Sequence, residues 1–121
     1  MKTALIIEDN EDNWVLISLI LEHAGFGAMV AKTGMQGYEM AIARSPDFIL
    51  LDIQLPDIDG TEVLRLLKAK DATKDIPVIA VTSFAMTGDR ERLLEAGCDG
   101  YIEKPVDPDK VIRQIQEIVG A

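Results

Sequence analysis

Four short apolar runs in this chain each end on a residue able to do metal or phosphoryl chemistry. Leu5-Ile6-Ile7 runs into Glu8-Asp9, and Phe48-Ile49-Leu50-Leu51 ends on Asp52. Val78-Ile79-Ala80-Val81 ends on Thr82, and Tyr101-Ile102 is followed by Glu103-Lys104. Acids gathered in one crevice repel: two unit charges about 4 Å apart cost about 4 kcal/mol at an effective dielectric near 20. Protonation, a neighbouring lysine or a hard divalent cation relieves that repulsion. Mg²⁺ suits one or two carboxylates plus waters and a phosphate oxygen. A phosphoryl group on Asp52 would then meet a metal, the Thr82 hydroxyl and the Lys104 ammonium, the charge arrangement that phosphoryl transfer requires. Each residue alone also has a plain structural reading. Asp52 and Glu8-Asp9 can be solvated strand ends, Thr82 a helix cap, and Lys104 a surface lysine. Those readings leave unexplained why all four strand ends carry these types.

The residues meet only if the fold brings the strand ends to one edge. Thr3–Ile7 reads as a first strand, then a helix from Asn10 to Ala24 with Gly25 as its stop. Gly27–Ala31 is a second strand, and Thr33 caps a helix to Arg44 with Met35, Tyr38, Ala41 and Ile42 on one face. The apolar run 48–51 reads as a strand buried on both faces. Asp59 and Glu62 have capping-box spacing before a helix that buries Val63, Leu64 and Leu67. Strand four is expected over Ile76–Val81, a helix over Ala85–Ala96 ahead of Gly97, and strand five over Gly100–Ile102. Asp107-Pro108 opens a last helix with Val111, Ile112, Ile115, Ile118 and Val119 on its apolar face. Short strands alternating with amphipathic helices imply an α/β sandwich around a parallel sheet. The expectation is a doubly wound (βα)₅ fold in the flavodoxin-like order 2-1-3-4-5, which makes strands 1 and 3 neighbours at the switch point.

The chain is 121 residues, enough for one domain with a real core, and residues 1–121 read as a single unit with no output domain. Only five uncharged residues separate Lys2 from Glu8, too few for a secretory leader, and no apolar run reaches spanning length. A net charge of −9 argues against nucleic-acid binding, and no direct membrane binding is expected. Cys98 is the single cysteine, as suits a cytoplasmic protein. Neither a GxGxxG nor a GxxxxGK[ST] phosphate loop occurs.

Taken in order, Ile6-Ile7-Glu8-Asp9-Asn10, Leu51 through Gly60, Val81-Thr82-Ser83 and Tyr101-Ile102-Glu103-Lys104-Pro105 resemble the receiver domain of two-component response regulators over the whole chain. The resemblance implies that Asp52 accepts a phosphoryl group from a histidine kinase or histidine phosphotransfer protein. It implies Mg²⁺ held by Asp9, Asp52 and the Gln54 carbonyl, with Glu8 in the acidic pair. It implies Lys104 on the phosphoryl group, Thr82 and Tyr101 as a switch pair, and a cis Lys104-Pro105 bond. Glu8 stands where the family more often has Asp, and its longer arm suggests contact through water. Asn10-Glu11-Asp12-Asn13, the stretch 83–89 and Ala96-Gly97-Cys98 look closest to a single-domain cell-cycle regulator of that family, which switches binding to a downstream protein or relays phosphate. A receiver belonging to a hybrid histidine kinase looks similar.

Two other function classes fit these residues less well. A phospho-aspartate phosphatase needs a second acid two positions after the nucleophile, where this chain has Gln54, which carries no transferable proton. The chain is therefore expected to be no enzyme beyond slow self-dephosphorylation, with Phe84 helping to exclude the attacking water. A flavin carrier would place the cofactor phosphate against Glu8-Asp9. Finally, at about 100° per residue, Asn13, Leu16, Ile17, Ile20, Leu21 and Ala24 share the inward face of helix one. Val15 and Leu19 fall on the opposite face with Trp14 at its margin, and these three are the expected docking patch for the phosphodonor.

Overall fold

The computed structural model describes residues 1–83 and 87–120. Ten elements alternate: β1 Thr3–Ile7, α1 Glu11–His23, β2 Gly27–Ala31, α2 Gly34–Arg44, β3 Phe48–Asp52, α3 Gly60–Ala69, β4 Val78–Thr82, α4 Thr87–Glu95, β5 Gly100–Glu103 and α5 Pro108–Val119. The strands form one parallel sheet in the order β2-β1-β3-β4-β5, as the alternation predicts. Period-two alternation splits the core. Leu5, Ile7, Ile49, Leu51, Val78 and Ala80 pack with Ala41, Val63, Leu64, Leu67 and Leu93 under α2, α3 and α4. Ala4, Ile6, Phe48, Leu50, Ile79 and Val81 pack with Ile17, Leu21, Val111 and Ile115 under α1 and α5. All of β3 and β4 is buried, which is why their sequences read as continuous apolar runs.

Local chemistry sets the helix starts. The Asn10, Thr33, Asp59 and Asp107 side chains accept from the backbone N–H of Asn13, Gln36, Thr61 and Asp109. Gly25 and Gly97, both at positive φ, follow α1 and α4. Several expectations are corrected. β4 starts at Val78 rather than Ile76, because the Ile76 N–H bonds to the Thr73 carbonyl in a turn and Pro77 has no N–H to give. The Glu62 carboxylate lies 3.4 Å from Arg65 one turn on, so Asp59 caps α3 without the reciprocal half of a capping box. Met35 is exposed, since α2 faces the sheet through Gly34, Gly37 and Ala41. Leu16 and Ala24 are exposed too, because the stripe of α1 that is fully covered is Ile17 and Leu21. β5 extends one residue further than expected, to Glu103. The expected start of α4 at Ala85 lies outside the described residues, as does Phe84.

Candidate phosphoryl and metal site

In register, Ile7 pairs with Leu51, Asp52 with Val81 and Thr82 with Glu103. Glu8, Asp52, Thr82 and Lys104 therefore stand at the C-terminal edge of four adjacent strands, where doubly wound sheets place their ligands. Backbone bonds hold the two ends that leave the sheet: the Glu8 N–H donates to the Ala31 carbonyl at 2.9 Å, and the Lys104 N–H to the Thr82 carbonyl at 2.8 Å. The Lys104-Pro105 bond is cis, as the resemblance implied.

One carboxylate oxygen from each of Glu8, Asp9 and Asp52 lies within 4.8 Å of the others. Glu8 and Asp52 are buried, and Asp9 is exposed at the mouth. Lys104 Nζ sits 3.1 Å from Glu8 Oε1 and 3.4 Å from Asp52 Oδ1, so one ammonium faces two buried acids. Burial pushes the Glu8 carboxyl up from 4.5 to about 7. The hydrogen bond and charge of Asp52 push the same way, and Asn13 and Lys104 oppose them. Asp52 Oδ1 also accepts the Gln54 N–H at 3.1 Å. These groups line an open crevice of about 510 Å³, together with Asn10, Asn13, Ser83 and Pro105.

The crevice suits a hard divalent cation. Among the described residues Glu8 Oε2 is buried with no hydrogen-bond partner, and the residues lining the crevice offer carboxylate, amide and hydroxyl oxygens to a cation. Opposite oxygens on Mg²⁺ are about 4.2 Å apart, and the Asp9 and Asp52 oxygens lie within 4.8 Å of each other with a Glu8 oxygen beside them.

The remaining expected residues fall in two places. Thr82 is buried at the end of β4, and Tyr101 pairs across from Ala80, so both side chains take the α4 face of the sheet. Tyr101 also borders a hollow of about 660 Å³ beside Leu94, Lys110 and Gln114. Val15 and Leu19 are exposed on α1, and so is Leu16, which helical periodicity had turned inward. Trp14 is half-buried, with the Lys32 ammonium 5.5 Å from its ring centre. Two residues near the site were missed in the sequence. Asn13 faces Glu8 from the first turn of α1, and helical spacing does not flag it because Glu8 and Asp9 lie outside the helix. Asp57 reaches from the loop after Asp52 to the start of α2, and nothing in the local sequence signals that partner.

The response regulator receiver domain pattern matches residues 4–116. The polar-differentiation response regulator DivK of Brucella anthropi is 42% identical over 119 residues, covering 98% of this chain and 97% of the relative. DivK of Brucella ovis is 41% identical over the same length. Among solved structures, the receiver domain of the sensor histidine kinase PA1611 of Pseudomonas aeruginosa PAO1 is 32% identical with a TM-score of 0.91, covers 99% of this chain and 98% of that one, and holds a magnesium ion in its active site cleft. The Vibrio cholerae chemotaxis protein CheY4, at 21% identity and a TM-score of 0.92 over 98% of each chain, shares the fold. Receiver domains are signalling modules that take a phosphoryl group on an aspartate with Mg²⁺ and interact with histidine kinases and downstream proteins. An acidic cluster, a lysine and a buried aspartate at one sheet edge are what such a module requires, and this chain belongs to the response regulator receiver family.

Proposed function

We propose that Asp52 is the phosphoacceptor of a DivK-like regulator, and that the chain works as a phosphorylation-controlled binding or relay module in the cytoplasm. The observation that carries this reading is the Asp52 carboxylate itself: buried at the sheet edge, 3.4 Å from Lys104 Nζ and within 4.8 Å of two further acids. A carboxylate oxygen of Asp52 attacks the phosphorus of a phosphohistidine. The new O–P bond forms as the P–N bond breaks, and the electron pair stays on the imidazole nitrogen. Asp9, Asp52 and the Gln54 carbonyl would hold Mg²⁺, with Glu8 acting through water, and a bound ion would supply positive charge to the phosphoryl oxygens. Lys104 shifts from the two acids to a phosphoryl oxygen. Thr82 follows the phosphoryl group, and Tyr101 on the same sheet face moves with it and changes the surface that a downstream protein reads. Gln54 offers an attacking water no base, so the acyl phosphate hydrolyses slowly. Incubation with acetyl phosphate tests the reading: the chain should be labelled with Mg²⁺ present and not in excess EDTA. Equal labelling in EDTA would remove the metal from the account.

The donor's histidine has to approach across α1, whose exposed Val15, Leu16 and Leu19 form an apolar strip leading to the crevice. Trp14 completes that docking patch at its half-buried margin. The proposed occupant is the histidine-bearing helix of the kinase or phosphotransfer protein. Leu19 is 60% exposed, so Leu19→Glu should leave the fold and acetyl-phosphate labelling intact. Transfer from the cognate donor should slow about tenfold, equivalent to about 1.4 kcal/mol. Stopped-flow transfer at the wild-type rate would show that the strip takes no part.

A further inference from the structure

The loop that leaves Asp52 carries a proposed metal ligand on its backbone, and its far side is tied to a helix of a different βα unit. Residues 53–59 link β3 to α3. At the base of the loop, the Gln54 N–H donates to Asp52 Oδ1 at 3.1 Å and the Gly60 N–H to the Ile53 carbonyl at 2.9 Å. That second bond needs glycine at 60, because a Cβ there would meet Ile53 Cα and the Asp52 carbonyl. At the far side, Asp57 Oδ1 accepts the Gly34 N–H at 2.8 Å and Oδ2 accepts the Met35 N–H at 3.0 Å. Glycine is required here too: a Cβ on Gly34 would collide with Ile58 and Val63.

Helix α2 does not depend on Asp57 for its cap. Thr33 Oγ1 already accepts the Gln36 N–H at 3.1 Å, and the Gly37 N–H bonds to the Thr33 carbonyl at 3.0 Å. What Asp57 adds is a two-oxygen grip between the loop and a helix N-terminus whose dipole favours a carboxylate. Within the loop Gln54 and Pro56 are exposed, while Ile53, Leu55 and Ile58 reach the core half-buried. A backbone ligand cannot be adjusted by a side-chain rotamer, so its reach to the metal depends wholly on where the loop is held. The N–H groups of Met35 and Gly34 also hold the Asp57 carboxyl below its usual range, as donors to the ionised form do.

We infer that Asp57 is a positioning residue for the metal site, clamping the 53–59 loop to α2 so that the Gln54 carbonyl stays in place for Mg²⁺. The inference rests on the proposed metal reading of the crevice. It predicts that α2 and the phosphoacceptor loop move as one body, which nothing in the Asp52 neighbourhood alone would require.

Titration with Mg²⁺ alone, followed by the amide NMR signals of Gln54 and its neighbours in the full chain, tests it. Three variants are compared with wild type: Asp57→Ala, Asp57→Asn, which keeps one acceptor oxygen, and Thr33→Ala, which removes the cap of α2 and leaves the loop tie untouched. Asp57→Ala should weaken Mg²⁺ binding about tenfold, the low end for losing support around a ligand, with Asp57→Asn in between. Thr33→Ala should lower the melting temperature and keep wild-type Mg²⁺ affinity. Wild-type Mg²⁺ affinity in Asp57→Ala would overturn the inference while leaving the metal site standing. Equal weakening by Thr33→Ala would reduce Asp57 to a helix cap. A wild-type chain that gives no Mg²⁺ response would remove the underlying metal reading and this inference together.

Discussion

Lys104→Met is expected to destabilise the metal-free protein by about 3 kcal/mol, the low end for removing one partner of a buried charge pair. The lysine stands between Glu8 Oε1 and Asp52 Oδ1, on carboxylates only 2% and 4% exposed, with its own side chain 15% exposed. Without it, two buried acids face each other with the lysine's counter-charge gone. The low end applies because the crevice is open on one side and because Glu8, already pushed up to about 7, takes a proton readily. Urea unfolding in EDTA measures the loss. Mg²⁺ should restore part of it, since a divalent ion supplies the missing positive charge to the same oxygens. A variant as stable as wild type in EDTA would mean that Lys104 does not neutralise the pair.

In EDTA the stability of the wild-type chain is expected to fall as pH rises from about 4.5 to 7. Burial raises the folded Glu8 carboxyl to about 7 from 4.5. Within that window the folded chain holds a proton that the unfolded chain has lost, so each step up in pH favours unfolding. The full shift corresponds to on the order of 3 kcal/mol. The loss is complete above pH 7, and Glu8→Gln should flatten the slope. Asp57 does not mimic it, because it is held down and titrates only below its ordinary 3.8. Parallel wild-type and Glu8→Gln curves between pH 5 and 8 would contradict this role for Glu8.

Most of what positions the site can be read in the sequence, for a geometric reason. A parallel sheet built from βα units puts every strand's C-terminus on one edge, so reading where Ile7, Leu51, Val81 and Ile102 end already gathers Glu8, Asp52, Thr82 and Lys104. β1 and β2 match their expected limits: Lys2 and Glu8 bracket β1, and Lys32 ends β2. The start of β4 is not written in hydropathy: Ile76 is as apolar as Val78, and the turn bond to Thr73 takes its N–H out of the sheet. The faces of α1 were misjudged at Leu16, because periodicity gives the direction of a stripe but not how far the neighbouring β5–α5 segment covers its edge. The Asp57 grip was invisible for a related reason. It joins residues 57 and 34–35 through the path of a loop, and no spacing rule encodes that path.

The central claim concerns one atom pair, a phosphorus on a carboxylate oxygen of Asp52, and reductive trapping addresses it directly. The chain is labelled with acetyl phosphate and Mg²⁺ and then treated with borohydride, which reduces an acyl phosphate to the alcohol with loss of phosphate. Peptide mass spectrometry then reads which carboxylate has been converted. The account predicts homoserine at position 52 and at no other acid, with no conversion in Asp52→Asn. Conversion at Glu8 or Asp9, or undiminished labelling of Asp52→Asn, would contradict it.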